Sequence, residues 1–254
     1  MASGETDGRK TEREYWEQTH GSAIRMRLPS PLRVGTRNLH RLLRRYVRPG
    51  DRVLEIGFAP GKHLAWLAAR LGAEVSGLDY SEGGIAQARQ LFEALGLRGD
   101  LRCEDLFAND LPPESFDLVY SVGVIEHFDD PRPAVRQHLR LVKPGGTALL
   151  LVPNFRGIYG RMEAIFDPAH LAIHNLDIMS VQALKALIDP DARVTATAFP
   201  FGRFVSALVS WEKRLPRAAV SSIHATLNGV GLLQPVDIAP LCPWLVLEAR
   251  RHLA

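Results

Sequence analysis

The chain has 254 residues, a formal net charge of +3 and a hydrophobic content of 46%, ample for a core between two helical layers. Its two cysteines, Cys103 and Cys242, lie far apart, which excludes a disulfide framework and a paired-cysteine metal or redox site. No uninterrupted apolar run reaches the length of a membrane span, and the opening residues are too polar for a secretory signal, so a cytoplasmic protein is expected.

In chain order, residues 1 to about 11 are small and polar and are expected to be disordered or left over from expression. Thr11 to Gln18 is helix-compatible and carries Tyr15 and Trp16. Between Glu17 and Asp51 there is no acidic residue, yet eight arginines fall there: Arg25, Arg27, Arg33, Arg37, Arg41, Arg44, Arg45 and Arg48. Within that run, Leu39, Leu42, Leu43, Tyr46 and Val47 give Thr36 to Val47 the spacing of an amphipathic helix. The arginines read either as a solvated face or as a site for an anionic ligand, a diphosphate or a nucleic acid. Aromatic residues do not interleave with them, which argues against single-stranded RNA.

The most informative stretch follows. Val53 to Ile56 reads as a buried strand containing Glu55, and it runs into the turn Gly57-Phe58-Ala59-Pro60-Gly61-Lys62. Gly57 and Gly61 let backbone pass close to a ligand, and the turn opens onto a helix N-terminus, which favours electron-rich atoms. The dinucleotide fingerprint G-x-G-x-x-G fits poorly, and a carboxylate at Glu55 would repel a pyrophosphate while attracting an ammonium group. Ala73 to Leu78 is a second strand ending at Asp79, placed to accept both hydroxyls of a ribose. A third strand lies near Leu101 to Cys103, with Cys103 expected to be buried and inert, and Asp105-Leu106 follows. Phe116 to Ser121 is a fourth strand, continued by Val122 to Phe128 with the pair Glu126-His127. Leu141 to Gly146 closes a helix and enters the fifth strand, Ala148 to Val152.

Over residues 50 to 155 these ordered motifs resemble the class I S-adenosylmethionine-dependent methyltransferases, whose first motif is E/D-x-G-x-G-x-G; here Ala59 replaces the middle glycine. The resemblance implies an α/β Rossmann-like fold, a seven-stranded mostly parallel sheet in the order 3-2-1-4-5-7-6 sandwiched by helices, with the seventh strand antiparallel. It implies S-adenosylmethionine as cofactor. Glu55 would meet the donor's ammonium group, and Gly57, Ala59 and Gly61 would carry its methionine arm. Asp79 would hold the ribose, with Tyr80 and Ser81 beside it. Asp105 and Leu106 would read the adenine edge, and Ser121 and Val122 would floor the sulfonium. An N-terminal helix in this family often covers the cofactor, which would make Trp16 part of a lid; otherwise Trp16 packs the helix on the sheet edge.

After the fifth strand lie Asn154, Tyr159, Arg161, Glu163, Asp167, His170, His174, Asn175 and Asp177, a region where such proteins select substrates. His127, His170 and His174 are the candidate catalytic groups, because an unperturbed imidazole titrates near neutrality. Arg25, Arg27, Asn154, Tyr159 and His174 are the candidate substrate contacts. With Asp167 or Asp177, the pair His170/His174 makes a two-histidine, one-carboxylate site conceivable, but no H-E-x-x-H pattern is present and no metal is expected. Ser180 reads as the N-cap of a helix from Val181 to Ile188. Arg193 to Phe199 and Trp244 to Ala249 are the last two strands, with helix and loop over Phe204 to Asn228. The apolar, proline-broken Leu232 to Pro243 reads as a packing arm rather than a membrane anchor.

The expectation is one domain, 1–254: tail, lid and basic helix over 1–48, cofactor core over 49–153, and a substrate-covering segment with the last strands over 154–254. The function expected is methyl transfer to a small-molecule acceptor, foremost an oxygen of a sugar or other specialised natural product. Rivals are a methyltransferase for an anionic substrate, a nicotinamide oxidoreductase and a silent cofactor-binding module. Nucleic acid is disfavoured as a partner, and a homodimer is left open.

Overall fold

Strands whose residues are apolar at nearly every position must be covered on both faces, and this protein's central strands are built so. The structure, a computed structural model, describes residues 8–19 and 24–253; most of the N-terminal tail, residues 1–7, lies outside them. The strands are β1 (Arg52–Ile56), β2 (Glu74–Asp79), β3 (Asp100–Cys103), β4 (Phe116–Val122), β5 (Val142–Pro153), β6 (Val194–Phe201) and β7 (Trp244–Arg251). They form one sheet in the order β3-β2-β1-β4-β5-β7-β6, with β7 antiparallel to both neighbours. This is the order and direction the resemblance implied.

Side chains alternate across this sheet and divide the core in two. Leu118, Tyr120, Leu149 and Leu151 face one side, where α2 (Val34–Leu43), α3 (Lys62–Leu71) and α4 (Glu82–Ala94) pack. Val119, Ala148, Leu150 and Val152 face the other, with α5 (Arg132–Leu141), α6 (Ile158–Phe166) and α8 (Val181–Lys185). The remaining helices are α1 (Arg13–Thr19), α7 (Pro168–Ala172) and α9 (Arg217–Leu233).

Several expectations change. Residues 8–11 are placed, not disordered: the N–H of Lys10 donates to the His127 carbonyl at 2.7 Å, and that of Asp129 to the Gly8 carbonyl at 2.7 Å. Cys103 is exposed rather than buried, because β3 is an edge strand and only its inner neighbour covers it. Ser180 caps its helix through the Ala183 N–H at 3.1 Å, but α8 stops at Lys185. The stretch Leu232 to Pro243, from the last turn of α9 onward, is not fully packed: Leu233, Val236 and Ile238 are exposed.

Candidate active site

In an open α/β sheet, ligands bind beyond the carboxyl ends of the strands where the strand order reverses. Here β1 lies between β2 and β4, and at that point a cavity opens that is lined by Gly57, Asp79, Asp105, Val122 and His127, with Trp16 over it. The turn after β1 is shaped by contact. Gly57 has φ 71°, and a Cβ there would sit 2.6 Å from Val124 Cγ2. Phe58 turns its ring onto Gly77 of β2, where a Cβ would come within 2.6 Å of it. That close approach explains a glycine in mid-strand.

Three carboxylates end three adjacent strands. Asp79 accepts from the Ala59 N–H at 3.0 Å and from the Ser81 N–H at 2.9 Å, so it braces the turn while lining the cavity. Ser81 is fully buried and accepts from the Gly84 N–H at 3.1 Å; it caps α4 and orients Asp79 without lining the cavity. Glu55 is buried behind Gly57, in register with Tyr120 of β4. Its Oε2 has no hydrogen-bond partner. Burial pushes its carboxyl up to about 8, with the Tyr120 hydroxyl opposing the shift and the Asp79 charge adding to it. Asp105 accepts from the Phe107 N–H at 2.8 Å and pairs with Arg9 at 2.5 Å. The Arg9 guanidinium lies 5.3 Å from the Tyr80 ring centroid and 5.5 Å from that of Phe107. Sequence reading missed Arg9 altogether, since nothing local marks an N-terminal arginine as reaching a site 96 residues away.

The lid helix is docked by its own chemistry. Glu17 accepts from the Glu82 and Gly83 N–H groups at 2.7 and 3.0 Å, filling the open N-terminus of α4. Trp16 donates to the Thr11 hydroxyl at 3.1 Å and meets His127 edge-on at 5.1 Å.

A histidine cluster closes the far side. His127 Nδ1 lies 3.1 Å from the Ile173 carbonyl and His174 Nδ1 2.7 Å from the His170 carbonyl. A carbonyl only accepts, so each Nδ1 carries the hydrogen and each Nε2 keeps its lone pair. Burial depresses both rings, His127 to about 3 and His174 to about 4, with the neighbouring imidazoles adding to the effect. Both are therefore neutral near neutral pH. Glu126 is buried, its Oε2 has no partner, and burial pushes it up to about 8. Donor atoms of Glu126, His127 and His174 lie within 4.8 Å of one another, a set able to hold a proton or a cation. The carboxylates considered in sequence, Asp167 and Asp177, do not join it; Asp167 caps α7 instead.

The other nominated residues separate from the cavity. His170 Nδ1 bonds Glu163 at 2.6 Å, and the same buried carboxylate accepts from the Ser210 N–H and hydroxyl. Ser121 is fully buried; His138 Nδ1 donates to the Ala134 carbonyl, so its Nε2 receives the Ser121 hydroxyl at 2.9 Å. Of the expected floor pair, only Val122 lines the cavity. Asn154 donates to the Cys242 carbonyl at 3.0 Å, and Tyr159 to the Leu241 carbonyl at 2.9 Å while accepting from the Val205 N–H. Both tie the end of the sheet to the C-terminal arm. Arg25 and Arg27 are exposed, and their charges, with that of Arg33, join burial in depressing Lys62 at the start of α3.

Comparison with known proteins agrees with this geometry. Residues 54–150 match the family described as "Methyltransferase domain". The ubiquinone biosynthesis O-methyltransferase of Ruegeria pomeroyi is 37% identical over 148 residues, 56% of this chain and 59% of that protein. Methyltransferase GfsG of Streptomyces halstedii is 32% identical over 102 residues, 39% of this chain and 37% of that protein. The chain thus spans between about a third and three fifths of these relatives' lengths. Among solved structures, phosphoethanolamine N-methyltransferase 2 of Haemonchus contortus, in complex with phosphomonomethylethanolamine and S-adenosylhomocysteine, shares the fold. Its TM-score is 0.60 at 17% identity, over 84% of this chain and 52% of that one. Motifs, strand order and family match together make residues 54–150 a class I S-adenosylmethionine-dependent methyltransferase domain.

Proposed function

We propose that this protein transfers a methyl group from S-adenosylmethionine to a hydroxyl oxygen of a small molecule, a sugar or other specialised metabolite. The observation that carries the reading is the pair of carboxylates Asp79 and Asp105 lining one cavity at and just beyond the ends of two adjacent strands, with Glu55 of the next strand buried behind Gly57 of the same cavity wall. The unpartnered Oε2 of Glu55 fits an ammonium group, which would remove the cost of a buried lone carboxylate. Asp79 would hold the ribose hydroxyls, Tyr80 the adenine face, and Asp105 with Leu106 its edge. The turn Gly57 to Gly61 would carry the methionine arm over Val122.

The bound cofactor supplies an electrophilic methyl carbon on a sulfonium. The chain's residues hold the acceptor in line, worth about 7–11 kcal/mol when orientation is complete. With S-adenosylmethionine bound, the Nε2 of His127 would take the acceptor hydroxyl proton, and His174 packs against that ring at 4.7 Å. A base adds about 10²–10⁴-fold when its pKa lies near the working pH, and His127, depressed to about 3, belongs at the low end of that range. The O-methyltransferase name of the 37%-identical relative supports an oxygen acceptor. An acceptor with an anionic group is the second reading, supported by the convergence of Arg25, Arg27 and Arg33 on Lys62.

Calorimetric titration with S-adenosylhomocysteine tests the cofactor, with NADH as the control. Micromolar binding of the former alone is expected. Binding of NADH instead would replace the reading with an oxidoreductase.

A further inference from the structure

Two features stand outside the site. One is the acid-free arginine run, and the other is the apolar arm that ought to have packed. The structure brings them to one surface. The Asn228 side chain of α9 donates to the Leu32 carbonyl at 2.9 Å and accepts from the Val34 N–H at 3.0 Å, fixing the turn before α2 against α9. Arg203 donates to the Leu232 and Pro235 carbonyls at 3.3 Å each, and Arg41 pairs with Asp237 at 2.5 Å. Along this seam large apolar side chains stand in solvent. Leu233 is 85% exposed, Leu32 71% and Val236 60%, with Val230 and Ile238 beside them. Half of the large apolar residues exposed among the described residues belong to this one seam.

Beside the apolar ridge runs a groove of about 790 Å³, floored by Trp66 and bordered by Pro29 and Pro31. Arg37, Arg44 and Arg70 line it and are exposed, and no acidic side chain lines it. Asp237, beside the seam, is already bound to Arg41. Exposed leucine and valine beside unneutralised arginines are complementary to an interface that is apolar below and anionic above. A protein partner would need an acidic rim around a matching apolar pocket. A bilayer with anionic headgroups offers both layers at every point.

We propose that the α2–α9 surface is a peripheral membrane-docking face: Leu32, Leu233 and Val236 enter the headgroup boundary of a bilayer while Arg37, Arg44 and Arg70 contact anionic lipid phosphates. No helix among the described residues is long and apolar enough to cross a membrane, so the attachment is superficial. It is reversible, because a few inserted side chains give only marginal affinity unless charge supplements them. The inference does not depend on the proposed reaction.

The test is co-sedimentation of the purified chain with vesicles of mixed phosphatidylglycerol and phosphatidylcholine, against vesicles of phosphatidylcholine alone. Binding to the anionic vesicles is expected, falling steeply between about 0.1 and about 1 M salt as the screening length shrinks from ~10 to ~3 Å. The double variant Leu233→Ser/Val236→Ser should lose at least about tenfold in partitioning, and Arg37→Gln/Arg44→Gln/Arg70→Gln should lose the preference for anionic lipid. Leu253→Ser, an exposed leucine outside the seam, should bind as the parent does. All these side chains are exposed, and unchanged thermal unfolding and S-adenosylhomocysteine titration would separate loss of docking from loss of fold or cofactor. Failure to sediment with either vesicle, equal binding to both, or undiminished binding by the serine variant would overturn the proposal. So would a concentration-dependent dimer abolished by Leu233→Ser without lipid binding, which would assign the face to a second copy.

Discussion

At the scale of single residues, protonation and hydrogen bonding separate side chains that look alike in sequence. His127, His170 and His174 are three equivalent candidates on paper. In the structure His170 is committed to Glu163, while His127 and His174 keep Nε2 unprotonated by donating from Nδ1 to carbonyls. With burial holding these two near 3 and 4, neither gains a proton between pH 5 and 8. The rate of methyl transfer should therefore show no histidine-type fall on its acid side down to about pH 5. His127→Asn should lower kcat by about 10²-fold, the low end of the general-base range for so weakly basic a ring, with cofactor affinity nearly unchanged, as steady-state kinetics beside calorimetry would show. A loss confined to KM, or an acid limb near 6.5, would remove His127 as the base. Ser121 shows the complementary case. Its position in the fourth strand was legible, but the buried partner His138, 17 residues on, was not, because hydrogen-bond partners in a core are fixed by packing and not by spacing.

At the scale of elements, the strands and their order were the legible part. Their apolar runs end in Glu55, Asp79 and the Val122 to His127 stretch at positions that only a parallel sheet brings together. The placement of α1 against the cavity was half legible: Trp16 marked it, but the grip comes from Glu17, which caps a helix begun 65 residues later. That grip makes a prediction about the element. Glu17→Ala leaves two N–H groups of α4 without their carboxylate and removes the tie that holds α1 over the cavity. Loss of a comparable cap costs about 0.5–2 kcal/mol. S-adenosylhomocysteine binding should weaken by roughly two- to thirtyfold, that free energy converted at 1.4 kcal/mol per decade. Trypsin cleavage at Arg13 should quicken in parallel, while the melting temperature of the rest of the fold changes little. Unchanged affinity with faster cleavage would mean that α1 does not cover the bound cofactor. The C-terminal arm was misread for a related reason, since an apolar composition states that burial is favourable but not which surface provides it.

At the scale of the whole molecule, buried carboxyls and buried histidines set how stability responds to pH, in opposite directions. Glu55 and Glu126 each rise from 4.5 in a solvated chain to about 8 in the fold, by burial. Between those values these two groups hold protons that the unfolded chain has released, so their contribution to stability falls as pH rises, by up to about 1.4 kcal/mol per pH unit for each group. Burial depresses His40, His63, His127, His138 and His174 from 6.5 to about 3 or 4, so their contribution rises with pH up to about 6.5 and then levels off. The ligand-free protein should melt at progressively lower temperature from about pH 7 to about pH 8, where the histidines are neutral in both states, whereas below about pH 6.5 its melting temperature should rise with pH. A cofactor ammonium beside Glu55 reverses the preference of that one carboxyl, so binding should expel a proton and tighten as pH approaches 8. The melting-point gain from S-adenosylhomocysteine should then be larger at pH 8 than at pH 6, and calorimetry in buffers of different ionisation enthalpy should register the proton release. Glu55→Gln should abolish both effects and flatten part of the decline in the free protein, leaving the part due to Glu126. A melting temperature that stays level or climbs between about pH 7 and about pH 8 would show both carboxyls already ionised in the fold. A cofactor gain independent of pH in the parent would show that the ammonium group settles away from Glu55, and the role of that strand-end acid would pass to Asp79 alone.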